Sequence, residues 1–312
     1  MIINNWVTTT HYENNRRRFS VVTDSGFTGS RERSSSSSQK LHFERLTPGA
    51  TTGVRAEHGT GGSGVPVVFL HGWGIGPRSY GSTLNALLGI GCRVFAPAMP
   101  GLGGTHALGS GRCTFAGYAD WVVRYLDAVG VQERAVVVGH SFGGGVAVQV
   151  AHDHPGRVRA VVTCNGVGGM GGSTPVDRPW WEWGRCLGSD LLALQSVARV
   201  LPAVMGQAVP NLIQNPFAMW RVGDIVRRAD LRREMRVLKR QGVPVTVVWS
   251  DRDRLVPYAG FSAMCRAAGV EGVEVPGHHS WLIADPSRFA EVMVRAFAAA
   301  GLVEEALVGV SA

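Results

Sequence analysis

The residues best suited to chemistry begin with Gly139-His140-Ser141-Phe142-Gly143-Gly144. This G-x-S-x-G pattern directly follows the apolar run Ala135–Val138 and directly precedes a helical stretch, Val146–Ala151. A sharp strand-to-helix turn strains the serine backbone and lifts the hydroxyl into a cleft, with room only for small neighbours such as Gly139 and Gly143. N–H groups at the start of the following helix favour negative charge developing there. A glycine-rich turn without chemistry would carry the same letters.

A hydroxyl becomes a nucleophile only beside a base, and the base needs an orienting acid. The run Val243–Trp249 is followed by Ser250-Asp251-Arg252-Asp253-Arg254-Leu255-Val256-Pro257. Asp253 is the preferred acid, because Val256-Pro257 opens the next helix and leaves that carboxylate in the loop. Asp251 is read as a cap or as the partner of a neighbouring arginine. Asn165 occupies the alternative acid position after Thr163 and is set aside, since an amide cannot stabilise an imidazolium by charge. For the base, Val270–Val275 leads into Pro276-Gly277-His278-His279-Ser280-Trp281, where both histidines are candidates in the order Ser, Asp, His. His71-Gly72-Trp73-Gly74 follows Val65–Leu70. It can set the N–H of Trp73 opposite that of Phe142 as an oxyanion hole, or form a plain turn with His71 as a structural hydrogen-bonding residue.

Strands must carry these loops. Val65–Leu70, Arg93–Ala96, Ala135–Val138, Val158–Thr163, Val243–Trp249 and Val270–Val275 are short, β-branched-rich apolar runs, as in strands buried on both faces. Helical segments separate them. Tyr118, Trp121, Val122, Tyr125, Leu126 and Val129 make one apolar face, and Phe289, Val292, Met293, Ala296 and Phe297 make another. Such alternation predicts an α/β fold with parallel strands. Residues 166–240 interrupt it with helical stretches and no clear strand. They are expected to form a helical cap over the carboxyl ends of the strands, where open α/β sheets bind ligands. Trp180, Trp181 and Trp183 are its candidate substrate-pocket residues, either lining an apolar pocket or packing the cap's own core.

Composition bounds the rest. The 312 residues are 45% hydrophobic and 17% charged, which excludes a fully disordered chain. No apolar run reaches the ~18 residues of a membrane span. The net charge is +8, but only Lys40 and Lys239 are lysines among 31 basic residues, and the arginines are spread along the chain. Without a recognised module this argues for compositional bias, and no nucleic-acid partner is expected. Five cysteines lack C-x-x-C spacing, so reduced thiols, no metal site and a cytoplasmic location are expected. Residues 1–40 contain Arg16-Arg17-Arg18 and the serine run Ser34–Ser38, without the apolar stretch of a signal peptide. They read as a disordered tail.

Together, HGWG (71–74), PGLGGT (100–105), GHSFGG (139–144), DRDRLVP (251–257) and HHSWLIADP (278–286) resemble the α/β-hydrolase superfamily over roughly residues 41–300. The chain also resembles uncharacterised actinobacterial α/β hydrolases with HGWG, APAMPGLGGT and HSW motifs. The resemblance implies a mostly parallel central sheet flanked by helices, with a core of residues 41–165 and 241–312 and a cap (166–240) inserted after the sixth strand. In such enzymes the catalytic histidine stands seven residues before a proline that opens the last helix. Pro286 then selects His279 over His278. Ala98 stands where many relatives carry a structural aspartate. The implied catalytic set is Ser141, Asp253 and His279, with Trp73 and Phe142 at the oxyanion hole and no cofactor. The expected activity is hydrolysis of carboxylic esters of small to medium apolar acyl groups through an acyl-enzyme. C–C bond hydrolysis, acyl transfer, cofactor-free haloperoxidase chemistry and non-catalytic ligand reception remain alternatives on the same scaffold.

Overall fold

The computed structural model describes residues 12–13, 16–17, 40–47, 53–169, 182, 185–186, 188 and 197–302. The chain divides into two units, residues 1–35 and 36–312. In the first, Tyr12–Glu13 pairs antiparallel with Arg16–Arg17. Apart from these four residues and Lys40, the expected N-terminal tail lies outside the described residues.

The second unit is built on eight strands: β1 (His42–Leu46), β2 (Ala56–Gly61), β3 (Val65–Leu70), β4 (Cys92–Pro97), β5 (Ala135–His140), β6 (Val158–Cys164), β7 (Val245–Ser250) and β8 (Val273–Val275). Their order across the sheet is β8-β7-β6-β5-β3-β4-β2-β1. Pairing is parallel from β8 through to β4, and β2 runs antiparallel to both β4 and β1. The six strands read from apolar runs form the parallel part. The hydrophobic pattern does not reveal β1 and β2. Every residue of β3 and β5 is buried, whereas β1 is half exposed and carries the polar sequence HFERL. An antiparallel edge with one wet face has no need of a continuous apolar run.

Helices α1 (Gly81–Gly89), α2 (Phe115–Ala128), α3 (Phe142–Asp153), α4 (Val197–Gln214), α5 (Pro216–Arg227), α6 (Arg232–Gln241), α7 (Tyr258–Ala268), α8 (Trp281–Ala284) and α9 (Pro286–Ala299) accompany these strands, with short 3-10 turns at Pro77–Tyr80, Ser110–Arg112 and Pro155–Arg157. The strands separate two cores by alternation. Val68, Leu70 and Val137 pack with the apolar faces of α2 and α3, while Val67, Phe69, Val136 and Val138 pack with α1 and α9. The predicted stripes of α2 and α9 are the faces that are buried. Thr114 caps α2 by accepting from the N–H of Gly117, and Asp285 caps α9 by accepting from the N–H of Arg288. Two strands are shorter than their apolar runs. Gly242 and Gly269 end α6 and α7 in left-handed conformations, so Val243 and Val270 bond back to Leu238 and Cys265 and close the helices.

Residues 166–240 follow β6. Their last helix, α6, buries Met235 and Leu238 in the core shared with α3 and α7, as a crossover helix does. By contrast, α4 reaches the loop after β3. Asn211 Nδ2 donates to the carbonyl of Gly74 at 3.0 Å, and Asn211 Oδ1 accepts from the N–H of Gly103 at 2.8 Å.

The start of α3 meets the end of β3 almost backbone to backbone. A Cβ on Gly143 would lie 2.1 Å from the carbonyl oxygen of Leu70 and 2.7 Å from that of His71. One on Gly139 would lie 2.1 Å from the carbonyl oxygen of Gly143. Backbone atoms cannot yield as a flexible side chain would. Gly143→Ala is therefore expected to cost about 3 kcal/mol or more, the upper range for overpacking, read as a lowered urea midpoint.

Candidate active site

The loop between β5 and α3 holds Ser141 at φ 53° and ψ −115°, in the region that favours glycine. The Ser141 N–H donates to the carbonyl of Cys164, while its own carbonyl accepts from the N–H groups of Gly144 and Val167. The backbone is thus tied on both sides to β6 and the residues after it. Ser141 is half-buried. Phe142 opens α3, so its N–H has no carbonyl one helical turn behind it. Trp73, in the loop after β3, is anchored by its indole N–H, which donates to the carbonyl of Met219 in α5 at 2.9 Å.

His279 and Asp253 meet in a buried hydrogen bond, Nδ1 to Oδ2, at 2.8 Å. Because that carboxylate accepts, Nδ1 carries a proton, which leaves Nε2 as the nitrogen that can take up or release one. Asp253 is saturated with donors. Its Oδ1 accepts from the N–H groups of Leu255 (2.7 Å) and Val256 (2.9 Å), and its Oδ2 accepts from Asn165 Nδ2 at 2.5 Å as well as from His279. Burial pushes its carboxyl pKa up. The His279 charge and the hydrogen bonds from His279, Asn165 and Val256 outweigh that, and the group stays ionised below its ordinary range. Asp251 sits in the exposed part of the loop, accepting from the N–H of Gly277 at 2.8 Å with Arg252 at 3.9 Å. His278 is half-buried, and its carbonyl accepts from Ser250 Oγ.

Three residues in this arrangement were not singled out for these parts by the sequence pattern. Asn165, set aside as an acid, is a donor to Asp253. It sits at φ 48°, and Trp281 Nε1 donates to its Oδ1 at 2.8 Å, which orients the amide. Its Nδ2 then faces both Asp253 and Ser250 Oγ. Tyr80 and His140 are buried side chains beside the Ser141 turn, joined Oη to Nδ1 at 2.7 Å. His71 takes the structural option left open for it. Nδ1 donates to the carbonyl of Gly72, and Nε2 accepts from the N–H of Met99 at 2.8 Å.

A profile of the alpha/beta hydrolase family matches residues 67–292. The chain belongs to the α/β hydrolase family. A Mycobacterium phage D29 protein bearing the name non-heme haloperoxidase is 27% identical over 259 residues, covering 78% of this chain and 91% of the phage protein. Pimeloyl-[acyl-carrier protein] methyl ester esterase of Aromatoleum aromaticum is 42% identical over 96 residues, 31% of this chain and 35% of that enzyme. Among solved structures, a serine hydrolase involved in carbazole degradation superposes with a TM-score of 0.68 at 19% identity. The match covers 83% of this chain and 99% of that one, and at this identity it speaks to the fold.

In this hydrolase a cavity of about 220 Å³ opens between residues 107–113, Tyr118 of α2 and the first turns of α5, with Leu108, Phe217 and Arg221 on its walls. The Tyr118 ring stands edge-on to Phe142 at 5.0 Å, but neither Ser141, Asp253 nor His279 is among the described residues that line the cavity. Trp180, Trp181 and Trp183 lie outside the described residues. Among the described residues no helix is long and apolar enough to cross a membrane, and no cluster of metal-ligating side chains occurs.

Two outcomes are expected from the polar network. Aspartate tolerates the backbone that Asn165 adopts, but Asn165→Asp would set a second carboxylate against Asp253 and remove a donor from it. Turnover of an aryl ester at pH 7 is expected to fall at least about 100-fold, with the acidic limb of the pH–rate profile moved upward. The buried histidines make stability depend on pH. Burial lowers the pKa of His71 to about 4 and, with the neighbouring His279, that of His140 to about 3. Unfolded, each binds a proton near pH ~6.5. On acidification below that value the unfolded chain takes up protons that the folded chain refuses. The thermal midpoint is therefore expected to fall steadily from pH 7 to pH 5, where a flat profile would contradict the burial of both rings.

Proposed function

We propose that this α/β hydrolase cleaves carboxylic esters of small to medium apolar acyl groups through an acyl-enzyme on Ser141. The buried hydrogen bond between Asp253 and His279, at the same edge of the parallel sheet as the strained Ser141, is the observation that carries the reading. Ser141 Oγ attacks the ester carbonyl as His279 Nε2 takes its proton. Asp253 holds the Nδ1–H tautomer and stabilises the imidazolium that forms. The tetrahedral oxyanion is received by the N–H groups of Trp73 and Phe142. On collapse, His279 returns the proton to the departing alkoxide, which leaves as the alcohol and leaves the acyl group on Ser141. Water, deprotonated by His279, then releases the carboxylic acid and restores the serine. The relative from Aromatoleum aromaticum that carries the name of a methyl ester esterase supports an ester substrate.

Apolar acyl preference is assigned to residues 166–240, read as a cap whose aromatic side chains enclose the acyl chain. The partner is then a small apolar ester, in a cytoplasmic enzyme that needs no cofactor.

Ser141→Ala is expected to lower kcat for p-nitrophenyl butyrate by at least about 10⁴-fold, with the residual owed to binding and the oxyanion hole. His279→Ala should abolish turnover while His278→Ala retains it, and the reverse pattern would reassign the base. Across p-nitrophenyl esters of increasing chain length a clear optimum is expected, since one methylene in such a pocket is worth about 1–3 kcal/mol. Trp180→Ala, Trp181→Ala or Trp183→Ala should shift that optimum or raise KM. Lowered thermal midpoints with an unchanged chain-length profile in all three would make these tryptophans structural.

A further inference from the structure

Tyr80 and His140 are buried polar side chains that the steps above do not use. His140 Nε2 lies 3.0 Å from the backbone carbonyl of His279. A carbonyl can only accept, so Nε2 carries the proton. His140 is fully buried and its pKa is held at about 3, so the ring has one proton and Nδ1 is a bare acceptor. The Tyr80 hydroxyl, 2.7 Å away, must then donate to Nδ1. Its oxygen in turn accepts from the N–H of Gly72 at 3.0 Å. Every proton in this chain has one allowed direction: Gly72 N–H to Tyr80 Oη–H to His140 Nδ1, and His140 Nε2–H to the carbonyl of His279.

The places where the chain touches the backbone are telling. Gly72 immediately precedes Trp73, His140 immediately precedes Ser141, and His279 is the base itself. The approach is close enough that a Cβ on Gly72 would stand 3.1 Å from His140 Nδ1, 3.2 Å from the Tyr80 hydroxyl and 3.5 Å from Ser141 Cβ. Tyr80 is locked from behind by Phe69 of β3, ring to ring at 4.9 Å. Building on the triad reading above, we infer that Tyr80 and His140 are positioning residues, a one-directional hydrogen-bond relay that holds the oxyanion loop, the nucleophile turn and the base loop in register. Neither side chain touches substrate or exchanges a proton with it.

A loss of register acts on the transition state more than on substrate binding, since misplacement by about 1 Å can cost 10²-fold in rate. With p-nitrophenyl butyrate, Tyr80→Phe and His140→Leu are each expected to lower kcat by about 10- to 100-fold, with KM within about twofold of wild type. Both cut one chain, so the double variant should be slower than the worse single by no more than about threefold. His140→Gln, whose amide can still donate toward the His279 carbonyl, should recover part of the rate lost in His140→Leu. A kcat within twofold of wild type in either single variant would overturn the inference, as would losses that multiply in the double. Should His140→Leu not fold, Tyr80→Phe decides alone, because it keeps the ring against Phe69. Ser141→Ala is run alongside. Turnover that survives it removes the triad reading and the relay together. Turnover that dies with it and persists in Tyr80→Phe removes the relay only.

Discussion

A serine held at φ 53° costs about 1–3 kcal/mol of backbone strain, and much of the site is arranged so that the chain cannot relax out of it. The restraint is steric first. Gly139, Gly143 and Gly144 let α3 enter against β3 and against Gly166, at separations where a Cβ on any of them would meet a backbone atom within 2.7 Å. It is then polar: the N–H of Ser141 goes to β6, and its carbonyl is shared by Gly144 and Val167. A turn pinned this way has one conformation, and that conformation decides where the hydroxyl and the N–H of Phe142 point. The remaining loops need only be brought to it.

They are brought by the order of the strands. With β3, β5 and β6 adjacent and parallel, the loops after them open at the same edge of the sheet, and β7 and β8 add the loops of Asp253 and His279 beyond. Parallel strands alone would leave polar groups stranded where these loops pack together. The structure answers with directional hydrogen bonds. Asn165, oriented by Trp281, turns its amide protons toward Asp253 and Ser250, so the acid is ionised, buried and still fully bonded. An unpaired carboxylate at that depth would protonate instead. The same logic makes His71 and His140 neutral. Each faces one carbonyl and one donor, an arrangement a single ring proton satisfies and two would break.

What the sequence makes legible follows from the kind of constraint involved. Contacts local in the chain leave local signatures. The glycines around Ser141, the apolar runs of the parallel strands, the stripes of α2 and α9 and the proline that opens α9 can all be read from short windows. Contacts made across the fold leave none. Asn165 meets Asp253 from 88 positions away and Trp281 from 116, and nothing near Asn165 marks it as a donor to an acid. Tyr80 stands in a short 3-10 turn whose letters give no hint of His140, 60 residues on. Strands β1 and β2 escape for another reason: they need only one buried face, and Gly59 and Gly61 break what alternation there is. Asparagine was a poor candidate for the acid because it lacks charge. That same property suits it as a neighbour of one, where a second carboxylate would compete for the same protons.

Helix α4 extends this dependence beyond the sheet. Asn211 spans the carbonyl of Gly74 and the N–H of Gly103, two groups on different loops, while Gln207 accepts from the N–H of Ser79. A single amide side chain therefore ties the loop that carries Trp73 to the loop after β4. From the other side, the carbonyl of Met219 in α5 holds the indole of Trp73 itself. Residues between β6 and β7 thus hold the loop that carries Trp73, and the turn after it, at several points. Changes in α4 or α5 that alter these bonds would reach the placement of the loop that carries Trp73. Residues inserted between two strands of the sheet and the loop after β3 are therefore held together by one set of hydrogen bonds.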